Sequence, residues 1–143
     1  MRVRLIAAGT RLPDWVNEGV AEYAKRFGRG LKFELVEVPA AKQGERMRAA
    51  LGAGDYVVAL EVAGRSMTTP ELAQWLAARL GGGRDLAFLI GGPEGLDVDL
   101  SANADFRWSL SPLTWPHGLV RVMVAEQLYR AHSLLQGHPY HRA

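Results

Sequence analysis

The classes of protein that this 143-residue sequence can encode are narrowed first by what it lacks. It contains no cysteine, which excludes disulfides, cysteine-ligated zinc and thiol nucleophiles. No apolar run approaches the roughly 18 residues of a membrane span, so we expect no membrane segment. The short apolar run Val3–Ala8 favours a first strand over the core of a signal peptide. The sequence therefore predicts a cytoplasmic protein.

Charge is nearly balanced but unevenly placed. Seventeen basic residues against 15 acidic ones give a net charge of +2, and only three of the basic residues are lysines. From Phe106 onward the only acidic residue is Glu126, whereas four arginines and all four histidines lie there. Arginine suits bidentate contact with phosphate, so an anionic partner explains this bias. The base composition of the source genome explains the excess of arginine equally well.

Apolar runs alternate with helical periodicities along the whole chain, and no repeat is visible. Strands are predicted over 3–8, 31–38, 56–60 and 86–90. Helices are predicted from 13, over 43–51, from a cap at Thr69 with Pro70 in the first turn, and over about 118–136. Tyr56–Leu60 and Leu86–Ile90 are apolar throughout, which is typical of strands buried on both faces. The sequence predicts one α/β domain over 1–143, with a mainly parallel sheet and helices on both faces.

Two loops rich in glycine and proline are candidates for a ligand site. Gly91–Gly95 directly follows a predicted buried strand, and a second loop covers Leu110–His117. Ligands of open α/β sheets bind beyond the carboxyl ends of strands, and glycine allows them to approach the backbone. No G-x-G-x-x-G or P-loop motif occurs, so conventional nucleotide sites have no support. A plain turn and a structural connection are the alternative interpretations.

Charged and aromatic residues near the end of the chain form the second set of candidates. Arg121 lies in an apolar run and must be ion-paired or at an interface. Glu126 and Arg130 are spaced as a helix-surface pair. The last six residues gather two histidines, a tyrosine and an arginine, which are suited to holding a base and managing its proton, although a disordered tail is the alternative. We expect this tail to contribute little to the core.

Four ordered motifs resemble one known family across essentially the whole chain. They are Ile90-Gly-Gly-Pro-Glu-Gly-Leu96, Trp108-Ser-Leu-Ser-x-Leu-Thr-x-Pro-His117 with x for variable positions, the run 119–131 and His138-Pro-Tyr-His-Arg142. They resemble the RlmH family of ribosomal RNA methyltransferases in the SPOUT superfamily. The resemblance implies a C-terminal trefoil knot, a homodimer, S-adenosyl-L-methionine as cofactor and no metal. It further implies methylation of N3 of the pseudouridine at position 1915 in 23S rRNA, on the assembled ribosome.

The resemblance also assigns residues. The cofactor-binding positions would be Leu60, Gly91, Leu110, Ser111, Pro112, Leu113, Thr114 and Trp115. The substrate-binding positions would be His117, Arg121, Arg130 and His138. The catalytic positions would be Tyr140, His141 and Arg142, with His141 as the candidate base. Pro112, Trp115 and Ala143 depart from the family pattern. From the residues alone, an RNA-binding module without enzymatic activity and a small nucleotide-binding or hydrolytic α/β enzyme both stay open.

Overall fold

The structure is a computed structural model that describes residues 1–28 and 30–141, with His141 described in its backbone only. The strands are β1 (Arg2–Ala8), β2 (Lys32–Val38), β3 (Tyr56–Ser66), β4 (Leu86–Ile90) and β5 (Phe106–Ser109). The α-helices are α1 (Asp14–Ala24), α2 (Gln43–Ala50), α3 (Thr69–Gly81), α4 (Val98–Asn103) and α5 (His117–Leu135). Short 3₁₀ helices cover Ala40–Lys42 and Pro139–His141.

The five strands form one sheet in the order β2-β1-β4-β3-β5, and every neighbouring pair is parallel. The all-apolar strand β4 is buried along its whole length. One apolar cluster packs α1, α3 and α5 on one face of the sheet, and a second packs α2 and α4 on the other. The predicted α/β class and the parallel sheet covered on both faces are confirmed. The trefoil knot stays a prediction.

Strand β3 runs six residues beyond the predicted end at Leu60. Its pairing with β5 is interrupted there, because Leu60 and Arg65 both pair with Trp108. The residues between them therefore leave the ladder, as in a β-bulge. At Gly64 a Cβ would lie 2.8 Å from the carbonyl oxygen of Arg107, so only glycine fits where the strands rejoin.

The cap of α3 lies one residue before the predicted position. Thr68, and not Thr69, is the N-cap, and it forms a capping box with Glu71. The Thr68 amide donates to the Glu71 carboxylate at 2.9 Å, and the Glu71 amide donates to Thr68 Oγ1 at 3.3 Å. Pro70 lies in the first turn as predicted.

Helices α1 and α5 pack side by side in the same direction. A Cβ on Gly118 would lie 3.2 Å from Val16, and the Tyr23 and Tyr129 rings are 6.3 Å apart further along. Leu135, the last residue of α5, is exposed. Within the described residues, no helix is long and apolar enough to cross a membrane.

Candidate active site

A cavity of about 220 Å³ opens at the carboxyl ends of β4 and β5, beside the middle of β3 where its pairing is interrupted. Three chain segments line it: the irregular part of β3, the glycine loop after β4 and the segment that leads from β5 into α5. The carboxyl edge of a parallel sheet is where α/β proteins bind their ligands. The two loops selected from the sequence therefore meet at one site.

Most of the predicted cofactor residues line this cavity. Those that do are Leu60, Gly91, Leu110, Ser111, Leu113, Thr114 and Trp115. Pro112 is exposed and is not part of the lining. Of the predicted substrate residues, His117 reaches the cavity from the first turn of α5. That these residues contact a cofactor or substrate stays a prediction.

Several lining residues were not found by sequence reasoning. Glu61 and Val62 enter the wall because β3 leaves its ladder after Leu60. Trp108 lies on the adjoining strand, and Val120 is the fourth residue of α5. No sequence signal marks Glu61, since the irregularity that exposes it arises from pairing with a strand far along the chain. Glu61 and His117 are the titratable side chains of the lining.

The glycine loop is built to fold tightly on itself. The Gly95 amide donates to the Gly92 carbonyl at 2.9 Å, and Gly95 has a φ of 90°, in the left-handed region that favours glycine. A Cβ on Gly91 would overlap the backbone of Gly95 and Leu96. Gly91 is therefore required first by the shape of its own loop, rather than by room for a ligand as expected from the sequence.

Gln43 of α2 fixes the same loop from outside. Its side-chain amide donates to the Gly95 carbonyl at 3.0 Å, and its side-chain carbonyl accepts from the Asp97 amide at 3.1 Å. Asp97 also caps α4 through the Leu100 amide. The loop is thus braced before any ligand binds, which reduces the entropy lost on binding.

The opposite wall combines a serine turn with an unpartnered indole. The Leu113 amide donates to Ser111 Oγ at 3.0 Å, and Ser109 Oγ donates to the Ser111 carbonyl at 3.0 Å. The Trp115 indole nitrogen is buried and has no hydrogen-bond partner among the described residues. An unpaired buried donor is costly, so this N–H is suited to an acceptor on a ligand.

Arg121, about one helical turn after His117 in α5, is buried, and its side chain has no exposed surface. Its guanidinium donates to the Glu37 carboxylate at 2.5 Å and to the carbonyls of Ala8 and Gly9 at 3.1 and 2.8 Å. The internal ion pair considered from the sequence describes Arg121 in this structure. Any effect of Arg121 on substrate binding would be indirect, through the start of α5.

The tail is docked as far as Tyr140, so the disordered alternative does not describe this part. The Tyr140 hydroxyl donates to Glu126 at 2.8 Å, and its ring lies 4.7 Å from that of Tyr129. The expectation that the tail contributes little to packing is wrong for this residue. The predicted Glu126–Arg130 helix pair is present, at 2.7 Å.

The structure describes the other predicted tail residues only in part. His138 is exposed, and its Nδ1 accepts from the Tyr140 amide at 3.3 Å. The side chain of His141 and the whole of Arg142 lie outside the described residues.

Tyr140 and the cavity lie on different sides of α5 within one chain. Tyr140 contacts α5 at Glu126, nine residues after His117 at the cavity. Nine residues are about 14 Å along the axis of an α-helix and two and a half turns, which puts Glu126 and His117 on opposite faces. Helix α5 therefore stands between Tyr140 and the cavity of its own chain.

Comparison with known proteins identifies the family. The family described as "Predicted SPOUT methyltransferase" matches residues 1–141. A protein of Alkalilimnicola ehrlichii is 55% identical over the full length of both chains, and one of Hahella chejuensis is 48% identical over 99% of each. A protein of Stenotrophomonas maltophilia is 53% identical over both full chains. Each is named ribosomal RNA large subunit methyltransferase H.

Solved structures agree on the fold. A probable methylase family protein from Haemophilus influenzae has a TM-score of 0.59 at 15% identity, covering 97% of this chain and 69% of that one. The SpoU methyltransferase AviRb from Streptomyces viridochromogenes, solved with AdoMet, has a TM-score of 0.53 at 13% identity. That match covers 90% of this chain and 57% of AviRb, so this chain spans little more than half of that protein. From the match over 1–141 and the full-length relatives, the chain belongs to the RlmH family of SPOUT methyltransferases.

Proposed function

We propose that this protein transfers a methyl group from S-adenosyl-L-methionine to N3 of a pseudouridine in the large-subunit rRNA of the assembled ribosome. The observation that carries the proposal is the cavity at the carboxyl edge of the sheet, lined by the same loops whose motifs mark the family. The names of the full-length relatives support rRNA as the substrate. Such a substrate places the enzyme in the cytoplasm.

The residues present fit this cofactor. Apolar side chains such as Leu60 and Leu110 offer a surface for an adenine ring, and the unpartnered Trp115 indole offers a donor. The Glu61 carboxylate can accept from a ribose hydroxyl. When bound, the cofactor supplies a methyl group on a positively charged sulfur, so the transfer needs neither a metal nor a covalent nucleophile.

The protein itself has to position the cofactor and the base and to remove a proton from the base. N3 of the base bears a proton that must leave before or during methyl transfer. His141 is the proposed base, and Arg142 would stabilise negative charge on the ring. His117, at the cavity, is placed to contact the base. Alignment of the nitrogen with the methyl group contributes more to the rate than proton removal does. It replaces an encounter between two freely moving molecules with a reaction between two groups already held in position.

The proposed enzyme acts as a homodimer whose active site is completed by a second copy. Because α5 separates Tyr140 from the cavity of its own chain, a catalytic tail has to reach the cavity of a partner. The outer surfaces of α5 and α1 support this pairing. Apolar residues of α5 such as Leu119 and Met123 are only half-buried within one chain, and Trp15 on neighbouring α1 is 56% exposed. A large exposed aromatic beside a mainly apolar helix is typical of an interface.

Mixing two inactive variants tests the composite site. Gly91→Ala disables the cavity, and deletion of residues 138–143 removes the tail. After exchange of subunits, a mixed dimer contains one intact cavity served by one intact tail. We expect methylation of ribosomes to return in the mixture and to be absent from either variant alone. A mixture that stays inactive while native mass spectrometry shows mixed dimers would contradict the composite site.

Thermal unfolding with S-adenosyl-L-methionine separates the proposal from the two alternatives. A methyltransferase is stabilised by its cofactor through mass action, whereas an RNA-binding module or a hydrolase of other nucleotides is not. No shift in the unfolding temperature at millimolar cofactor would count against the methyltransferase.

A further inference from the structure

The Glu126 carboxylate, in the middle of α5, collects donors from three side chains. Arg130 donates through Nη2 at 2.7 Å and Nε at 3.1 Å, Gln127 donates at 2.7 Å and the Tyr140 hydroxyl donates at 2.8 Å. The carboxylate is largely buried, with its side chain 16% exposed. Charge-assisted hydrogen bonds of this kind are stronger than neutral ones. The end of the chain is thus tied to α5 by a specific contact.

Helix α1 supplies the other side of this contact. The Tyr23 hydroxyl lies 3.2 Å from that of Tyr140, within hydrogen-bond distance. The Arg26 guanidinium lies 4.9 Å from the Tyr23 ring and 5.7 Å from the Tyr140 ring. Tyr140 is therefore held by groups from two helices.

These contacts suit a neutral phenol. Burial and the hydrogen bonds with Tyr23 and Glu126 raise the pKa of Tyr140 above its ordinary value of 10.0. To abstract a proton from the nucleobase, Tyr140 would first have to be an ionised phenolate. The adjacent Glu126 carboxylate disfavours that charged form. Tyr140 is therefore not suited, by its contacts or by its surroundings, to abstract a proton from the substrate.

We propose that Glu126 and Tyr23 anchor the C-terminal tail through Tyr140, and that all three are positioning residues for methyl transfer. The inference rests on the proposed function, since it concerns the tail proposed to complete the site. It replaces the catalytic role that the family resemblance suggests for Tyr140.

The reach of the chain explains why this anchor matters. Two residues span at most about 7 Å, so fixing Tyr140 confines His141 and Arg142 to a small volume around the anchor. A free tail would lose backbone entropy at each residue that becomes ordered on entering an active site. Because the anchor already orders part of the tail in the folded protein, part of this entropy is lost on folding, before the ribosome binds.

Variants that differ by one hydroxyl or one carboxylate test the anchor. Tyr140→Phe removes the hydrogen bond and keeps the ring, and Glu126→Ala removes the shared acceptor. Tyr129→Phe is the matched control, because its hydroxyl makes no hydrogen bond within the described residues although its ring belongs to the same cluster. The measurements are kcat and its pH profile on assembled ribosomes, and the Kd for S-adenosyl-L-methionine by calorimetry.

We expect Tyr140→Phe and Glu126→Ala to lower kcat by about tenfold each, with an unchanged Kd and an unchanged pH profile. The double variant should be no slower than the slower single variant, because both remove the same contact. Tyr129→Phe should match the wild type. A Tyr140→Phe enzyme as inactive as one lacking residues 138–143, or one that loses a limb of the pH profile, would overturn the anchor role. So would a Glu126→Ala enzyme that works at the full rate.

Digestion with a carboxypeptidase tests the anchor without any methylation. Trimming of the wild type and of Tyr129→Phe should slow at Tyr140, whereas Tyr140→Phe and Glu126→Ala should be trimmed past this position at least about tenfold faster. Equal rates for all four proteins would refute the anchor. If trimming follows the expectation but the wild type does not methylate ribosomes, the proposed function fails and the anchoring of the tail stands.

Discussion

Glu37→Ala should destabilise the fold more than Arg121→Met, although the second substitution removes the larger and more buried side chain. The two residues form the ion pair that joins α5 to β2, and the exposures of their side chains differ sharply. The Arg121 side chain is 0% exposed, whereas that of Glu37 is 31% exposed. Removing Glu37 leaves the Arg121 charge unpaired, and removing Arg121 leaves the Glu37 carboxylate and two carbonyl acceptors without their donor. Water can reach Glu37 but not Arg121.

The expected magnitudes follow from what each variant leaves unpaired. Glu37→Ala leaves a buried guanidinium opposite two carbonyls, and an uncompensated buried charge costs about 3–5 kcal/mol. Arg121→Met leaves a carboxylate that water can solvate and the carbonyls of Ala8 and Gly9, for which about 1–3 kcal/mol is expected. At about 2–4 °C per kcal/mol for a chain of this size, Glu37→Ala should lower Tm by about 10 °C.

Urea unfolding followed by circular dichroism measures both values, at one fixed protein concentration because dimerisation would contribute to stability. The double variant Glu37→Ala/Arg121→Met should be more stable than Glu37→Ala alone, since the stranded charge is gone. The reasoning is refuted if Arg121→Met is the more damaging substitution, or if the second substitution adds its full cost to the first.

Three further predictions follow from the cavity, the tail and the buried histidine. Gly91→Ala should abolish binding of S-adenosyl-L-methionine in calorimetry, because its Cβ would overlap the loop backbone, whereas a Cβ on Gly92 would meet only ordinary contacts at 3.5 Å and Gly92→Ala should bind normally. Deleting residues 138–143 and deleting only 141–143 should both remove activity, but only the longer deletion should cost stability, by about 1–2 kcal/mol in thermal unfolding, because it removes the Tyr140 contacts; equal stabilities would contradict this. Burial lowers the pKa of His132 below 6.5, so the unfolded chain takes up the proton first. Stability should therefore fall as the pH drops below about 6.5, and His132→Leu should flatten this acid limb in unfolding experiments.

The sequence predicts the core of the sheet well because β4 and the first half of β3 are continuous apolar runs between clear turn residues. The second half of β3 could not be found in this way. Its residues alternate irregularly, and they become strand only by pairing again with β5 after the interruption at Leu60. The shift of one residue at the cap of α3 has a local cause, since adjacent threonines compete and only Thr68 has glutamate three residues later.

The candidate site was likewise predictable from the sequence only in part. The two loops at the cavity were predictable because each follows or precedes a recognisable element at the carboxyl edge of the sheet. The docking of Tyr140 was not, because it depends on Tyr23, 117 positions earlier in the chain, and on the packing of α1 against α5. Nor does any spacing in the sequence show that α5 separates Tyr140 from the cavity, which is the observation behind the composite site.

Mass spectrometry of rRNA tests the central proposal most directly. Assembled ribosomes that lack the modification are incubated with the protein and S-adenosyl-L-methionine bearing a labelled methyl group, and the large-subunit rRNA is then digested to nucleosides. We predict one labelled methyl group on N3 of a single pseudouridine, and little transfer to the same RNA stripped of ribosomal proteins, because a net charge of +2 gives weak non-specific attraction to RNA. Unlabelled rRNA from ribosomes treated with cofactor-saturated protein would contradict the proposal.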